Sequence, residues 1–393
     1  MYFHLFISII LLIVVSRKNL WVALLLVSFV ISFPKLSIYQ VFSLFVTTLS
    51  NPSVILLAIS VGIISIIGGG MDKTGLMDDL VNNLKLNIKL SLISLPGMIG
   101  MLPIPGGAIL SAPIVNKLGP NIQNETKAAI NIWGRHGFKL IYPLDIILLA
   151  AVMAGLNTYI VTLYMFPYFF LTLQLIYFFF LRTLQVDCIK NKSTQSKKLL
   201  RPLTVLIVPP IVHVIFSNIY TGLYPEFFLL IGVSISLILV CYFGNLGIIQ
   251  IGKIVLEMKS WNYYLIIIAI FYFLNSFKAS EFPGFISTLV LSKPIFVIGL
   301  GAFLGFVTGR VNVPLSILIP IYISKYGTDS MNYIVLSSMI FSSIMGYIIS
   351  PIHPCVSVTL EYFKTSYGIF FRQTLLPVII ALSVGLIFSY IFI

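Results

Sequence analysis

Long apolar runs alternate with short polar stretches along the chain. Ten of the runs read as crossing helices: 2–15, 20–33, 53–70, 126–154, 158–181, 202–219, 227–243, 261–276, 331–360 and 373–393. A helix needs roughly 20 apolar residues to cross the hydrocarbon core, so the first three are short for the task. Three further stretches do not fit a simple crossing. Residues 37–50 end in Ser50-Asn51-Pro52 and read as a helix lying along the membrane interface. Stretches 90–119 and 293–325 are each long enough for two half-crossings and are interrupted midway by Pro, Gly or Arg, which predicts two re-entrant hairpins.

Composition narrows the class. The 393 residues are 59% hydrophobic and 9% charged, whereas soluble domains carry about 25% charged residues. A soluble enzyme is excluded, and the expected fold is an all-α polytopic membrane protein of the plasma membrane. The net charge of +13 is not interleaved with a polar fold, so no nucleic-acid partner is expected and the charge reports loop topology instead. The segment 182–201 holds Arg182, Lys190, Lys192, Lys197, Lys198 and Arg201 against Asp187, and the positive-inside rule makes it cytoplasmic. Five crossings precede it, which puts the N-terminus outside. If both interrupted stretches enter and leave on one side, 17 basic residues fall inside, four (Lys35, Lys278, Lys293, Lys325) outside and three (Arg135, Lys139, Arg310) within spans or hairpins. Making either stretch an ordinary crossing would flip every later loop and degrade that bias. Run 2–15 is followed by Arg17 and Lys18 without a small-residue cleavage site, so it reads as a retained span rather than a cleaved leader. Cys188, Cys241 and Cys355 stand far apart, a spacing that offers neither a short-loop disulfide framework nor a metal-ligand pair.

Residues 1–181 and 202–393, joined by the basic linker 182–201, share one order of elements: three crossings, a hairpin, a long helix and a final helix. Tyr142-Pro143-Leu144-Asp145 lies 208 positions before Ser350-Pro351-Ile352-His353, and Met71-Asp72-Lys73-Thr74-Gly75 about 206 before Phe277-Lys278-Ala279-Ser280-Glu281. Five crossings per half turn the second half upside down. Inverted repeats with paired broken elements point to a secondary transporter whose site lies near the midplane.

Irregular backbone inside hydrocarbon leaves polar groups unpaired, so it persists only where protein buries it or a wet cavity meets it. Four breaks are visible. At Pro105-Gly106-Gly107-Ala108 the glycines allow a tight turn and close approach to a ligand, and the half-helix that follows presents free N–H groups. At Thr308-Gly309-Arg310-Val311-Asn312-Val313-Pro314, Asn312 reads as an N-cap with Pro314 in the first turn. Ser350-Pro351 repeats that start signal within a span, and Tyr142-Pro143 is its counterpart. Facing helix N-termini favour an anion, and the unwound carbonyls before them suit a cation; plain proline or glycine kinks are the competing reading of any one break.

Ionisable residues fall at depth. Arg135 is roughly 13 Å into its helix at 1.5 Å per residue, with His136 beside it and Lys139 on the same face; Arg310 sits at a hairpin tip. Asp145 is the one acid within these stretches. The excess of positive charge suggests that an anionic substrate supplies the balance, and on that reading Arg310→Gln abolishes uptake. The alternative is an Arg135–Asp145 or Lys139–Asp145 ion pair that holds the broken helix together. His353 binds substrate, relays protons or hydrogen-bonds the broken backbone; His213 and His4 read as structural. Asp72 to Asp79 read as a polar interfacial face.

At these motifs the chain resembles the "domain of unknown function 401" membrane family. The matching pieces are Leu102-Pro103-Ile104-Pro105-Gly106-Gly107-Ala108 with Ser111-Ala112-Pro113, then Trp133, Arg135-His136 and Tyr142-Pro143, then Ser350-Pro351-Ile352-His353-Pro354-Cys355 with Glu361-Tyr362-Phe363. That family is similar to the ion transporter superfamily of gluconate, citrate and dicarboxylate permeases, arsenite pumps and sodium–proton antiporters. The resemblance implies two inverted five-helix repeats, each with a re-entrant hairpin, paired as a homodimer. Dicarboxylate relatives carry Ser-Asn-Thr signatures at their hairpin tips, and the tips here read otherwise, so the positions of the tips carry over and the ligand chemistry does not.

The expected function is secondary active transport of a small anion, an organic acid in the first instance, coupled to sodium or protons. No cofactor is expected beyond a bound sodium ion if sodium is the coupling cation. A cation–proton antiporter using Asp145 and His353, or an inorganic oxyanion exporter, is the alternative. An intramembrane enzyme would need metal or acid pairs at depth, such as His-Glu-x-x-His, and an ATP-driven pump a phosphate-cradling loop; the sequence contains neither.

Overall fold

A computed structural model describes residues 7–8, 10–11, 14–15, 19–83, 86–101, 107–184, 196–220, 222–281 and 291–393, and every regular element among them is helical. In chain order the helices are α1 (Leu20–Ser32), α2 (Ile38–Leu49), α3 (Pro52–Lys73), α4 (Leu76–Asn83), α5 (Ile88–Met101) and α6 (Gly107–Leu118). Then follow α7 (Asn124–Phe138), α8 (Pro143–Ala154), α9 (Thr158–Leu181), α10 (Ser196–Ile219), α11 (Pro225–Gly244), α12 (Ile248–Met258) and α13 (Ser260–Ala279). The last are α14 (Ile295–Thr308), α15 (Asn312–Tyr326), α16 (Tyr333–Ile348), α17 (Pro354–Tyr362) and α18 (Tyr367–Phe392). Asn and Ser side chains open several of them: Asn157 accepts from the Tyr159 and Ile160 N–H groups ahead of α9, and Asn332 from those of Ile334 and Val335 ahead of α16.

The chain is an all-α multi-span membrane protein, but the count of ten crossings is not reached. Among the described residues six helices are long and apolar enough to cross, and the pair α7–α8, bent by 50°, makes a seventh at most. Helix α1 has 13 residues and α16 has 16, short of a full crossing by length, and run 2–15 lies largely outside the described residues. The basic linker also differs from expectation. Residues 196–201 belong to α10, because Lys and Leu favour helix, and the rest of the segment up to 195 is described only through residue 184. Helix α2 forms over residues 37–50 as expected, closed by a reciprocal Ser37–Gln40 capping box. Helix α12 lies between the stretches 227–243 and 261–276, where the sequence reading named no element.

The chain divides into two compact units that do not follow the sequence halves. One takes the described residues of 1–86 and 190–280, the other those of 87–101, 107–189 and 281–393. In the first unit α13 packs on α1, α2 and α3, and α11 packs on α3 and α10. In the second unit one order of elements occurs twice: a pair of short helices, a broken helix, a long helix. The short pairs are α5–α6 and α14–α15, the broken helices α7–α8 and α16–α17, and the long ones α9 and α18. Within each copy the short pair packs on itself, and its first member lies along the first segment of the broken helix, α5 on α7 and α14 on α16. The second members cross over: α6 packs on α17, and α15 on α8. That exchange draws the breaks together.

Small residues make the close approach possible, as expected where the surroundings are as apolar as the side chains and packing rather than water drives helix association. A Cβ built on Gly100 of α5 would collide with the main chain of Arg135, so α5 and α7 touch backbone to backbone. Gly309 joins α14 to α15 with a left-handed φ of 58°. A Cβ there would lie 2.7 Å from Cγ1 of Ile352 and 3.0 Å from its carbonyl carbon and oxygen, so one break rests directly on another. Gly309→Ala is expected to lower the thermal midpoint of the detergent-purified protein, with about 1–2 kcal/mol from the left-handed backbone alone; an unshifted midpoint would mean that this junction is not packed as described.

Candidate functional site

The second unit gathers its polar side chains at the breaks. The first segment of the first broken helix, α7, ends at Phe138, and α8 starts after Tyr142 with Pro143 in its first position, where a missing N–H costs nothing. Regular geometry then fails again at Leu144 and Asp145, whose φ/ψ values of −97°/20° and −121°/−115° are not helical. Lys139 Nζ meets Asp145 Oδ2 at 2.7 Å across this gap, with both side chains about one-sixth exposed at 16% and 17%. Of the two ion pairs weighed from the sequence, Lys139–Asp145 therefore forms. Asp145 straps the broken helix together, and the residue read as a candidate carrier is occupied as a counter-ion.

The other broken helix departs from expectation in detail. Its second segment begins at Pro354 with His353 in the N-cap position, not at Pro351, so His353 precedes the first turn rather than lying in it. Proline needs its own N–H to be dispensable, and the first helical position supplies that at 354. Ser350 does not cap; its Oγ donates to the Phe306 carbonyl at 2.6 Å, and Pro351 is exposed in the connecting turn. The Tyr367 hydroxyl donates to the Ile349 carbonyl at 2.7 Å. Two carbonyls released or approached by the break thus find partners from neighbouring elements, which is what irregular backbone at depth requires. Asn312 likewise is not the cap of α15 but its first residue, with Val311 in the cap position and no side-chain cap bond. Thr308 ends α14, its hydroxyl reaching the carbonyls of Leu304 and Arg310 at 2.7 and 3.0 Å.

Arg135 and His136, near the end of α7, are 3% and 1% exposed, and His353 is fully buried. Three rings meet there. The Tyr347 and His353 rings stack with centroids 3.7 Å apart, His136 stands edge-on to His353 at 4.7 Å, and His136 and Tyr347 are 5.0 Å apart. The Arg135 guanidinium reaches Ser111 Oγ of α6 at 3.4 Å. Gly309, beside Arg310 in the junction between α14 and α15, packs on Ile352 of the second break, so that junction adjoins the same region. Asn131 of α7 donates to Thr359 of α17 at 3.0 Å and ties the two segments side by side.

Of the residues singled out from the sequence, Arg135, His136, Asp145, Thr308, Gly309, Ser350 and His353 stand at or beside these breaks. Ala108 is buried in α6, and Gly107 is its first residue; Pro105 and Gly106 lie outside the described residues. Tyr347, Ser111 and Cys355 were not among the candidates. Cys355 had a signal in its spacing of two from His353; Tyr347 had none, being one aromatic in an apolar run. Chemically the region offers a guanidinium group, a hydroxyl, two imidazoles, a phenol and a thiol.

The family described as "Protein of unknown function (DUF401)" matches residues 1–392, so the chain belongs to that family. No curated protein matches the sequence. In structure the chain is similar to the YdaH transporter of Alcanivorax borkumensis, whose crystal structure is described as revealing an unusual topology. The TM-score is 0.61 at 11% identity, over 86% of each chain. It is also similar to MtrF of Neisseria gonorrhoeae, described as illuminating a class of antimetabolite efflux pumps. There the TM-score is 0.51 at 13% identity, over 89% of this chain and 83% of the other. At these identities the likeness is one of fold.

Proposed function

We propose that this member of the DUF401 family is a secondary active transporter of a small anion, an organic acid in the first instance, driven by a sodium or proton gradient. The observation that carries the reading is the burial of Arg135 where two helix breaks meet, with the Gly309–Arg310 junction packed against Ile352 of the second break. A guanidinium at membrane depth is costly, by at least ~2.5–3.5 kcal/mol, and residues held at that cost mark pathways more often than packing. An anion entering the region meets planar charged donors suited to carboxylate, the Ser111 hydroxyl and the N-terminal N–H groups of α17. The breaks leave main-chain carbonyls for a coupling cation. Alternating access, re-entrance of the two short helix pairs, inversion of the repeat, dimerisation, an outside N-terminus and a plasma-membrane location belong to the same proposal.

The fold shared with YdaH and MtrF supports a transporter over an enzyme. An antiporter that loads protons on Asp145 is disfavoured, because Lys139 occupies that carboxylate. The test is reconstitution of the purified protein into liposomes, with imposed sodium or pH gradients and a panel of labelled carboxylates and inorganic oxyanions. Gradient-driven accumulation of one anion class is the expected result. Gradient-driven cation or proton flux that is indifferent to every anion would defeat the proposal.

A further inference from the structure

We propose that His136, His353 and Cys355 form a three-ligand site for a thiophilic transition-metal ion of the Zn2+ class. The ligand atoms of the three all lie within 4.8 Å of one another. Around one ion with metal–nitrogen bonds of about 2.0–2.1 Å and a metal–sulfur bond of about 2.3 Å, tetrahedral ligand atoms stand roughly 3.3–3.6 Å apart. The ligand atoms therefore have to draw in by roughly 1 Å to share one ion.

The state of the two imidazoles favours this use. His136 Nδ1 lies 2.7 Å from the Ile132 carbonyl. A carbonyl only accepts, so Nδ1 carries the proton and Nε2 is left with the lone pair. A histidine that donates one ring N–H to a backbone carbonyl and offers the other nitrogen is the usual arrangement of a metal-bound imidazole, since the outer bond fixes both tautomer and ring plane. His353 is fully buried and neither of its ring nitrogens makes a well-aligned hydrogen bond. A buried nitrogen without such a bond is unfavourable, and a metal would relieve it. Cys355 is a free cysteine and is only partly buried, which leaves a route for an ion.

The donor set selects the ion. Sodium, magnesium and calcium take oxygen ligands, whereas two imidazoles and a thiolate suit Zn2+, Co2+ or copper. Binding converts the Cys355 S–H and the ion into a metal–thiolate bond and a proton released to solvent. With three protein ligands the fourth tetrahedral position stays open. The inference stands whether or not the chain moves an anion.

The experiment uses the full chain, purified in detergent, stripped with a chelator and titrated with Co2+ alone. Expected is a single equivalent per chain with intense tetrahedral visible bands and a sulfur-to-cobalt charge-transfer band. Cys355→Ser removes the charge-transfer band, and His353→Gln weakens binding by more than the 10–100-fold typical of losing an outer-shell partner. Absence of these bands in the native chain overturns the proposal, and so does a charge-transfer band that survives Cys355→Ser, since Cys188 or Cys241 would then be the ligand. If Cys355→Ser is not monodisperse, a Cys188→Ala/Cys241→Ala chain is labelled with a maleimide. Zn2+ should slow modification of Cys355, and an unchanged rate rejects the site.

Discussion

Arg135→Gln abolishes gradient-driven anion uptake by the reconstituted protein while leaving its thermal midpoint close to that of the native chain. Glutamine keeps a donor in reach of Ser111, so the local hydrogen bond is replaced rather than lost. What disappears is the charge. Removing one partner from a buried charge-assisted contact costs about 2–5 kcal/mol, and every 1.4 kcal/mol is tenfold, so uptake at limiting substrate falls by at least about thirtyfold. Arg135→Lys retains the charge as a point without the planar fork and should fall between the two. Arg310→Gln, at the junction whose Gly309 packs on Ile352, should also remove uptake. Native rates from Arg135→Gln would take the guanidinium out of the substrate path and leave it a packing group against Gly100.

Asp145→Asn destabilises the protein, and a second substitution at Lys139 restores it. Breaking a buried ion pair costs about 3–5 kcal/mol because the surviving charge is stranded. Here each side chain keeps about one-sixth of its exposure, so about 2–4 kcal/mol is expected from Asp145→Asn. Replacing both residues by apolar side chains of similar size, Lys139→Met with Asp145→Leu, removes both charges and should recover most of the midpoint. Uptake separates the roles. A strap that only holds α7 against α8 leaves the double variant active; a stable but inactive double variant would return Asp145 to the group of ion carriers.

The strap shows how far the sequence carried. Lys139 and Asp145 were legible as the members of a pair because six residues separate them across Tyr142-Pro143, and a charge at depth needs a partner within reach. Which cation would take the acid was open, since Arg135 is on the same helical face. The chain's bend and the unwinding at Leu144 and Asp145 decided it. The same limit appears at Ser350-Pro351: a serine before a proline is a sound start signal, yet Pro354 three residues later carries an equal one. The Ser350 hydroxyl was drawn instead to the Phe306 carbonyl of a helix 44 residues away. The count of ten crossings is not confirmed among the described residues. Helices that pack in pairs around a break need not be full-length, and apolarity alone does not report length.

By itself the sequence determined that the chain is helical and built for a membrane, that among the described residues it is interrupted near Pro143, Gly309 and Pro351, and that arginine and histidine stand beside those interruptions. These follow from composition and local backbone chemistry, which act within a few residues of chain. Only the tertiary structure decided that the second members of the two short helix pairs exchange partners, α6 onto α17 and α15 onto α8. That exchange brings His136 against Tyr347, His353 and Cys355 across more than 200 positions of sequence. No periodicity or spacing encodes such a meeting, because it depends on glycine-lined contacts between helices whose relative order is settled only when all of them pack at once.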